Sequence, residues 1–163
     1  MIKRGGYAKK IHYRIGFWPR LKPKTKKITR VWIQAVSVGE LSSIQTLLQF
    51  LIKDPHFEIV LSGTTSTGQT IAEKKYSNNV LANGPFPLDW LPFSYLCWSR
   101  IKPDIALCVD SELWPEHMHQ AKRRGIPFCV VNARLSDRSF ARLVSLKLFR
   151  NLLLPAHLHI FAS

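Results

Sequence analysis

The sequence predicts a doubly wound α/β fold built on a parallel sheet, and three of its features carry that prediction. Short apolar runs alternate with stretches in which apolar residues recur at three- and four-residue steps, the pattern of strands and helices in βαβ units. In the strands over 104–109 and 128–131 every residue after Asp104 is apolar, as strands covered on both faces must be. The carboxyl ends of the strands carry polar or glycine-rich clusters, where an open parallel sheet gathers its ligands. With 163 residues, 46% of them hydrophobic, the chain has material for one packed domain and lies far from a disordered composition.

The first strand covers residues 31–37 and follows Arg30, where the domain begins. Leu41, Ile44, Leu47, Leu48 and Leu51 then share one helical face, which predicts a helix over 40–53. Strand two, 57–62, is entered after Asp54-Pro55. Ser66 with Gln69 three residues on forms a capping-box pattern and opens a helix over 67–76. Residues 80–82 form a short third strand that Asn83-Gly84-Pro85 breaks. Residues 88–101 read as a helix carrying Trp90, Phe93 and Trp98, with Pro92 in its first turns. After strand 104–109, Ser111 is placed to cap a helix that accepts Pro115 near its start. That helix ends in Lys122, Arg123, Arg124 and Gly125, a basic last turn and a glycine stop. Strand 128–131, a helix from Ser136 to residue 153 and a strand over 157–162 complete a Rossmann-like domain over residues 30–163.

Residues 1–29 read as a basic arm. Of the 24 lysines and arginines, eleven lie in the first 30 residues with no acid among them, leaving 13 against 10 acidic residues in the remainder, an ordinary balance. With Tyr7, Tyr13, Phe17 and Trp18 interleaved, such an arm suits an anionic membrane surface, with Lys9, Lys10, Arg14 and Trp18 as its contacts. It also suits nucleic acid, or a solvated leader. No run approaches the ~20 apolar residues that span a bilayer.

Cys97, Cys108 and Cys129 show no metal or redox spacing, which predicts reduced thiols buried in the fold. The His117/His119 and His157/His159 pairs lack a third ligand beside them, and no metal site is expected. The loop from Gly63 to Thr70 nearly matches a phosphate-cradling motif, but Gln69 stands where a lysine must reach the phosphates, and a neutral amide cannot supply that charge.

The strand ends predict one ligand-facing rim: Ser37, Gly39 and Glu40; Gly63, Thr64 and Thr65; Asp110, Ser111 and Glu112; Asn132 and Arg134. Each residue alone also fits a turn or a cap. Glu40 falls in a first helical turn, where free N–H groups and the helix dipole favour a carboxylate. That placement serves the helix start by itself; its position at the end of the first strand makes it a candidate site residue as well.

Val36-Ser37-Val38-Gly39-Glu40, Thr64-Thr65-Ser66-Thr67-Gly68, Lys102-Pro103-Asp104, Ser111-Glu112-Leu113-Trp114-Pro115 and Val131-Asn132-Ala133-Arg134-Leu135-Ser136-Asp137-Arg138-Ser139 resemble the N-terminal half of the 3-deoxy-D-manno-octulosonic acid (Kdo) transferases. Gly6-Tyr7 and Arg14-Ile15-Gly16-Phe17-Trp18-Pro19 are similar to the segment those enzymes carry before their first strand. The resemblance implies the N-terminal half of a two-domain (GT-B) glycosyltransferase that moves Kdo from CMP-Kdo to lipid A precursor (lipid IVA) in lipopolysaccharide biosynthesis. It implies no cofactor and no metal, CMP-Kdo being the donor substrate. It also implies that the N-terminal domain receives the acceptor and that Glu40 is the general base deprotonating the attacking hydroxyl. Ser37, Gly39, Thr64, Thr65 and Asn132 then fall on the acceptor-binding rim. Glu112 would position the acceptor or support Glu40, and Arg134 and Arg138 are phosphate or lipid-headgroup contacts or structural pairs with Asp137.

The implied location is the cytoplasmic face of the bacterial inner membrane, with this chain peripheral. The implied partners are lipid A precursor, the anionic membrane surface and a C-terminal donor domain; nucleic acid is not expected. Gln34, Asp110 and Glu116 stand where the family commonly has histidine, glutamate and asparagine. The resemblance leads to the expectation that these residues lack a counterpart of the family's apolar N-terminal anchor and, without an interdomain cleft, do not catalyse transfer alone. The alternatives are a noncatalytic basic module for membrane or nucleic acid, and a degenerate phosphate-binding nucleotide enzyme.

Overall fold

The computed structural model of the chain describes residues 10–35, 37–110, 114–133 and 158–162. The strands are β1 (Thr29–Gln34), β2 (Phe57–Gly63), β3 (Ala82–Pro85), β4 (Ile105–Val109), β5 (Phe128–Ala133) and β6 (Leu158–Ala162). They form a six-stranded, all-parallel sheet in the order β3-β2-β1-β4-β5-β6. Helices α1 (Val38–Ser43), α2 (Gln45–Lys53), α3 (Ser66–Tyr76), α4 (Leu91–Ile101) and α5 (Pro115–Arg124) lie in the crossovers. This is the doubly wound sheet that the alternating pattern predicts. Strand order reverses between β1 and β4, so the carboxyl ends of these two strands border the switch point at which this fold class binds ligands.

Alternation along β1 divides the interior into two cores. Trp32 packs with Trp98, Met118 and Phe128 beneath α4 and α5, whereas Val31, Ile33 and Ala35 pack with Leu41, Leu48, Ala72 and Tyr76 beneath α1–α3. The expected helix over 40–53 is two helices that meet at Ile44. The hydroxyls of Ser42 and Ser43 donate to the carbonyls of Val38 and Glu40, at 3.0 and 2.8 Å, and so compete with the helical ladder just before the break.

Asn83, Gly84 and Pro85, expected to end the third strand, are part of it. β3 lies at the edge of the sheet and bonds only to β2, so Pro85 sits where a missing N–H is tolerated. Gly84 is required by packing: a Cβ there would lie 2.3 Å from Cδ2 of Tyr13.

Residues 10–28, which composition reads as part of a basic arm over 1–29, lie on the domain. Trp18 is 0% exposed, its ring 4.9 Å from Tyr13 and 6.5 Å from Trp32, so it belongs to the core and is not a membrane contact. Lys10 Nζ donates to Glu73 Oε1 at 2.7 Å and to Asn83 Oδ1 at 2.9 Å. Arg14 donates to the Phe86 carbonyl at 2.9 Å, and Lys24 pairs with Asp104. Arg30, 2% exposed, binds Glu58 Oε2 at 2.8 Å, the Ile101 carbonyl at 2.7 Å and the Lys22 carbonyl at 2.8 Å. The physical reason is area: a tryptophan removes 150–250 Å² from water on burial, roughly, and draws its neighbouring cations onto acceptors that lie at the edge of the same core. Lys9 lies outside the described residues.

Candidate functional site

At the end of β1 the chain turns through Ser37 into α1. Ser37 is extended (φ −131°, ψ 171°) and its Oγ accepts the Glu40 N–H at 3.3 Å, while its hydroxyl donates to Glu40 Oε1 at 3.2 Å. The pairing is related to the capping box, written in the sequence as Ser-x-x-Glu, with the Ser37 hydroxyl in place of its backbone N–H as donor to the carboxylate, and it fixes a half-exposed carboxylate at the helix start. Gly39 is exposed, and a Cβ built on it meets only Ser37 Oγ at 3.8 Å. Neither packing nor a left-handed backbone demands glycine there.

At the end of β2, Thr64 is half-exposed and Thr65 exposed. Thr65 caps α3, its Oγ1 accepting the Gly68 N–H at 3.2 Å, so the cap falls one residue before the expected Ser66. Thr65 is the last extended residue (φ −95°, ψ 139°), which is what the cap position requires. Gln69, at the place of a phosphate-binding lysine, is buried and turned along its helix toward Glu73.

The ends of β4 and β5 are left-handed at Asp110 (φ 63°) and Asn132 (φ 55°), residue types that tolerate this backbone. The Asp110 N–H donates to the Val131 carbonyl at 2.9 Å, joining the two ends. Val131 pairs with Phe161 and Ala133 with Ala162, so Asn132 is the extra residue of a bulge, a device that re-aims a strand end. The sheet thus brings Ser37, Gly39, Glu40, Thr64, Thr65, Asp110 and Asn132 to one carboxyl rim. Ser111, Glu112, Arg134 and Arg138 lie outside the described residues.

Beside the rim stands an acid that sequence reading missed. The N-cap position of α5 is held by Trp114, which offers no capping side chain, in place of the expected Ser111. Asp89 supplies the cap from another loop, its Oδ1 accepting the N–H groups of Glu116 at 2.9 Å and His117 at 3.1 Å. Burial raises its pKa, and those two bonds oppose the rise. The signal was the Trp-Pro opening itself: a helix without a local cap needs one from elsewhere.

His117, 1% exposed, accepts the Trp98 indole N–H on Nδ1 at 3.0 Å, so its proton resides on Nε2. Burial lowers its pKa from 6.5 to about 3, partly offset by the Pro87 and Leu88 carbonyls. Between those values the unfolded chain binds more protons than the folded one, so His117 favours folding fully above pH 6.5 and less as pH falls toward 3. The expected slope is at most about 1.4 kcal/mol per pH unit; Asp89, shifted upward, acts in the opposite sense in the carboxylate range. Urea midpoints of the wild type and His117→Leu, taken at about pH 5 and about pH 7, check this. The same loss in both proteins on acidification would remove His117 from the account.

Cys97 and Cys108 are buried and Cys129 is half-buried, all as free thiols. Among the described residues no three of His, Cys, Asp and Glu cluster to hold a metal, and no helix is long and apolar enough to cross a membrane.

The sheet order and the carboxylate capped at the turn after β1 define a Rossmann-type α/β domain with a polar rim. A crystal structure of UDP-N-acetylglucosamine 2-epimerase shares this fold with a TM-score of 0.51 at 15% identity, over 82% of this chain and 42% of that one. The family model for 3-deoxy-D-manno-octulosonic-acid transferase (kdotransferase) matches residues 9–163. The 3-deoxy-D-manno-octulosonic acid transferase of Haemophilus influenzae is 32% identical over 148 residues, 90% of this chain and 34% of the relative. That of Bordetella pertussis is 31% identical over 67% of this chain and 26% of its own length. The chain belongs to the Kdo transferase family and spans from about a quarter to a third of the length of these relatives.

Proposed function

We propose that this chain is the acceptor-binding part of a glycosyltransferase that moves Kdo from CMP-Kdo to a lipid A precursor, lipid IVA, in lipopolysaccharide biosynthesis. The observation that carries this reading is the Ser37–Glu40 pairing at the end of β1, which holds one carboxylate oxygen by a hydroxyl and leaves the group half-exposed on the rim. Glu40 takes the proton of the acceptor hydroxyl as that oxygen bonds to the anomeric carbon of Kdo. The bond from that carbon to the phosphate oxygen breaks, and CMP leaves with the electron pair. Gly39, which the fold does not need as glycine, lets the acceptor approach the backbone beside Glu40. Thr64, Thr65 and Asn132 offer it hydrogen bonds. Glu112, Arg134 and Arg138 complete the proposed acceptor set by their resemblance to the family's motifs, the arginines as proposed partners of its phosphates.

The assay is transfer of labelled Kdo from CMP-Kdo to lipid IVA by this chain joined to the C-terminal part of the Haemophilus influenzae relative, with this chain alone as control. Transfer by the joined protein and none by the 163 residues is the expected result. Tight CMP-Kdo binding by the single domain would move the donor site into it, and the Gly63 to Thr70 loop would be examined first.

On the same reading the domain sits peripherally at the cytoplasmic face of the inner membrane. Trp18 is buried in the core and Lys10 is paired with Glu73 and Asn83, so we assign the contact to other side chains. Ile15 (40% exposed) and Phe17 (48%) adjoin Leu88 (40%), Trp90 (63%), Leu91 (51%) and Tyr95 (51%). The Leu88 N–H to Arg14 carbonyl bond, 2.8 Å, joins the two segments. Aromatic side chains beside an excess of basic charge suit an anionic interface. Sedimentation should show binding to anionic vesicles that salt weakens, and clear loss in Trp90→Ser/Leu91→Ser. Equal binding to neutral vesicles, or tighter binding to nucleic acid, would favour a different basic module.

A further inference from the structure

Under the rim, between the end of β1 and the α4/α5 layer, a narrow cavity is walled by Trp32, Gln34, Phe86, Cys108, Trp114 and His117. It has room for about one water. We propose that this cavity is a binding site for a single buried water, which accepts hydrogen bonds from Gln34 and Trp114 and ties the end of β1 to the turn entering α5.

The direction of each hydrogen bond selects the ligand. The Trp32 indole donates to Ser62 Oγ at 2.9 Å, and that hydroxyl lies 2.9 Å from Gln34 Oε1, to which it donates. With its oxygen so engaged, Gln34 must direct its amide nitrogen away from Ser62, and this nitrogen is buried without a partner in a residue only 4% exposed. The Trp114 indole N–H is likewise buried without a partner. His117 Nδ1 is engaged by Trp98, and its Nε2 proton faces the Pro87 and Leu88 carbonyls without completing a hydrogen bond. Gln34 and Trp114, two residues of the cavity wall, thus each carry an unmet donor, and what such donors need is an oxygen lone pair.

Charge decides between the lone-pair carriers. Neither donor is cationic, and His117 is held neutral by a pKa of about 3. A halide here would be a buried anion with no paired cation, which costs more than the one or two hydrogen bonds it gains. A water is neutral, fits the space, accepts both N–H groups and turns its own hydrogens toward the aromatic faces of Trp32 and Phe86. A dry cavity would leave two buried donors unmet, each stripped of its water without a replacement acceptor.

The test combines a high-resolution crystal structure, with a bromide soak, and thermal melts of the whole chain carrying Gln34→Leu, Trp114→Phe or both. Gln34→Leu leaves Ser62 satisfied, because its hydroxyl also lies 3.2 Å from the Ile33 carbonyl. The expected results are a density peak between Gln34 Nε2 and Trp114 Nε1 and no anomalous bromide signal. Each single variant should lose about 2–4 °C of Tm, and the double should lose less than the sum, since the two share one ligand. A bromide peak in the cavity would replace the water site by an anion site. An empty cavity together with a higher Tm for Gln34→Leu would show it to be dry and overturn the proposal. The crystal structure alone decides the matter if a variant fails to fold.

Discussion

Glu40→Gln, in this chain joined to the C-terminal part of the Haemophilus influenzae relative, is expected to lower Kdo transfer by about 10²- to 10⁴-fold. Glutamine keeps the size and the oxygen that the Ser37 hydroxyl addresses, and the Glu40 N–H to Ser37 Oγ cap is a backbone donor that the change does not touch. Folding should therefore be preserved while the proton acceptor is lost, because an amide cannot take the hydroxyl proton. The loss should fall on kcat, with KM for lipid IVA little changed, since the acid acts on a proton transferred only in the transition state. An unchanged melting curve with a large loss of kcat is the expected pair of results. Turnover close to wild type in Glu40→Gln would return Glu40 to a purely capping role. A fall in both Tm and acceptor affinity without a kcat effect would do the same.

The second large effect concerns stability. Trp18→Ala should destabilise the domain by about 3–5 kcal/mol, the range for removing a buried aromatic side chain. Trp18 is 0% exposed and stands between Tyr13 and Trp32, so its removal opens a hole in the core beneath α4 that the rigid indoles around it cannot fill. Tyr13 would lose its support as well, and with it the contact that makes Gly84 obligatory. Denaturant unfolding of the two proteins measures the difference directly. Were residues 10–28 an arm detached from the domain, Trp18→Ala would leave stability unaltered and weaken vesicle binding instead; that outcome would restore the reading drawn from composition.

Much of the architecture was legible because it depends on local periodicity. The continuous apolar runs of β4 and β5 and the alternation of strand and helix patterns require a parallel sheet with both faces covered, whatever the packing details. The position of Glu40 was legible for the same reason: an apolar run, a glycine and a helical face leave little choice about where the first turn falls. Its Ser37 partner was also present in the sequence as Ser-x-x-Glu.

The N-terminal segment was not legible, because lysines and arginines are counted in a sequence without their partners. Lys10, Arg14, Lys24 and Arg30 have acceptors that are 8 to 80 positions away, on β2, β3, α3, α4 and the loops beside them, and only the folded chain brings these together. The same holds for Asn83-Gly84-Pro85, a turn signature by composition that becomes an edge strand because β2 has a free ladder beside it and Tyr13 needs the space of a missing Cβ. Asp89 caps a helix 26 residues further on. What the sequence by itself determined was therefore the order of the elements and the rim on which the first-turn carboxylate stands, since both follow from short-range spacing. The tertiary structure alone decided which charges are paired, which aromatic residues form the core and which buried donors are left unmet, because burial is set by contacts between residues far apart in the chain.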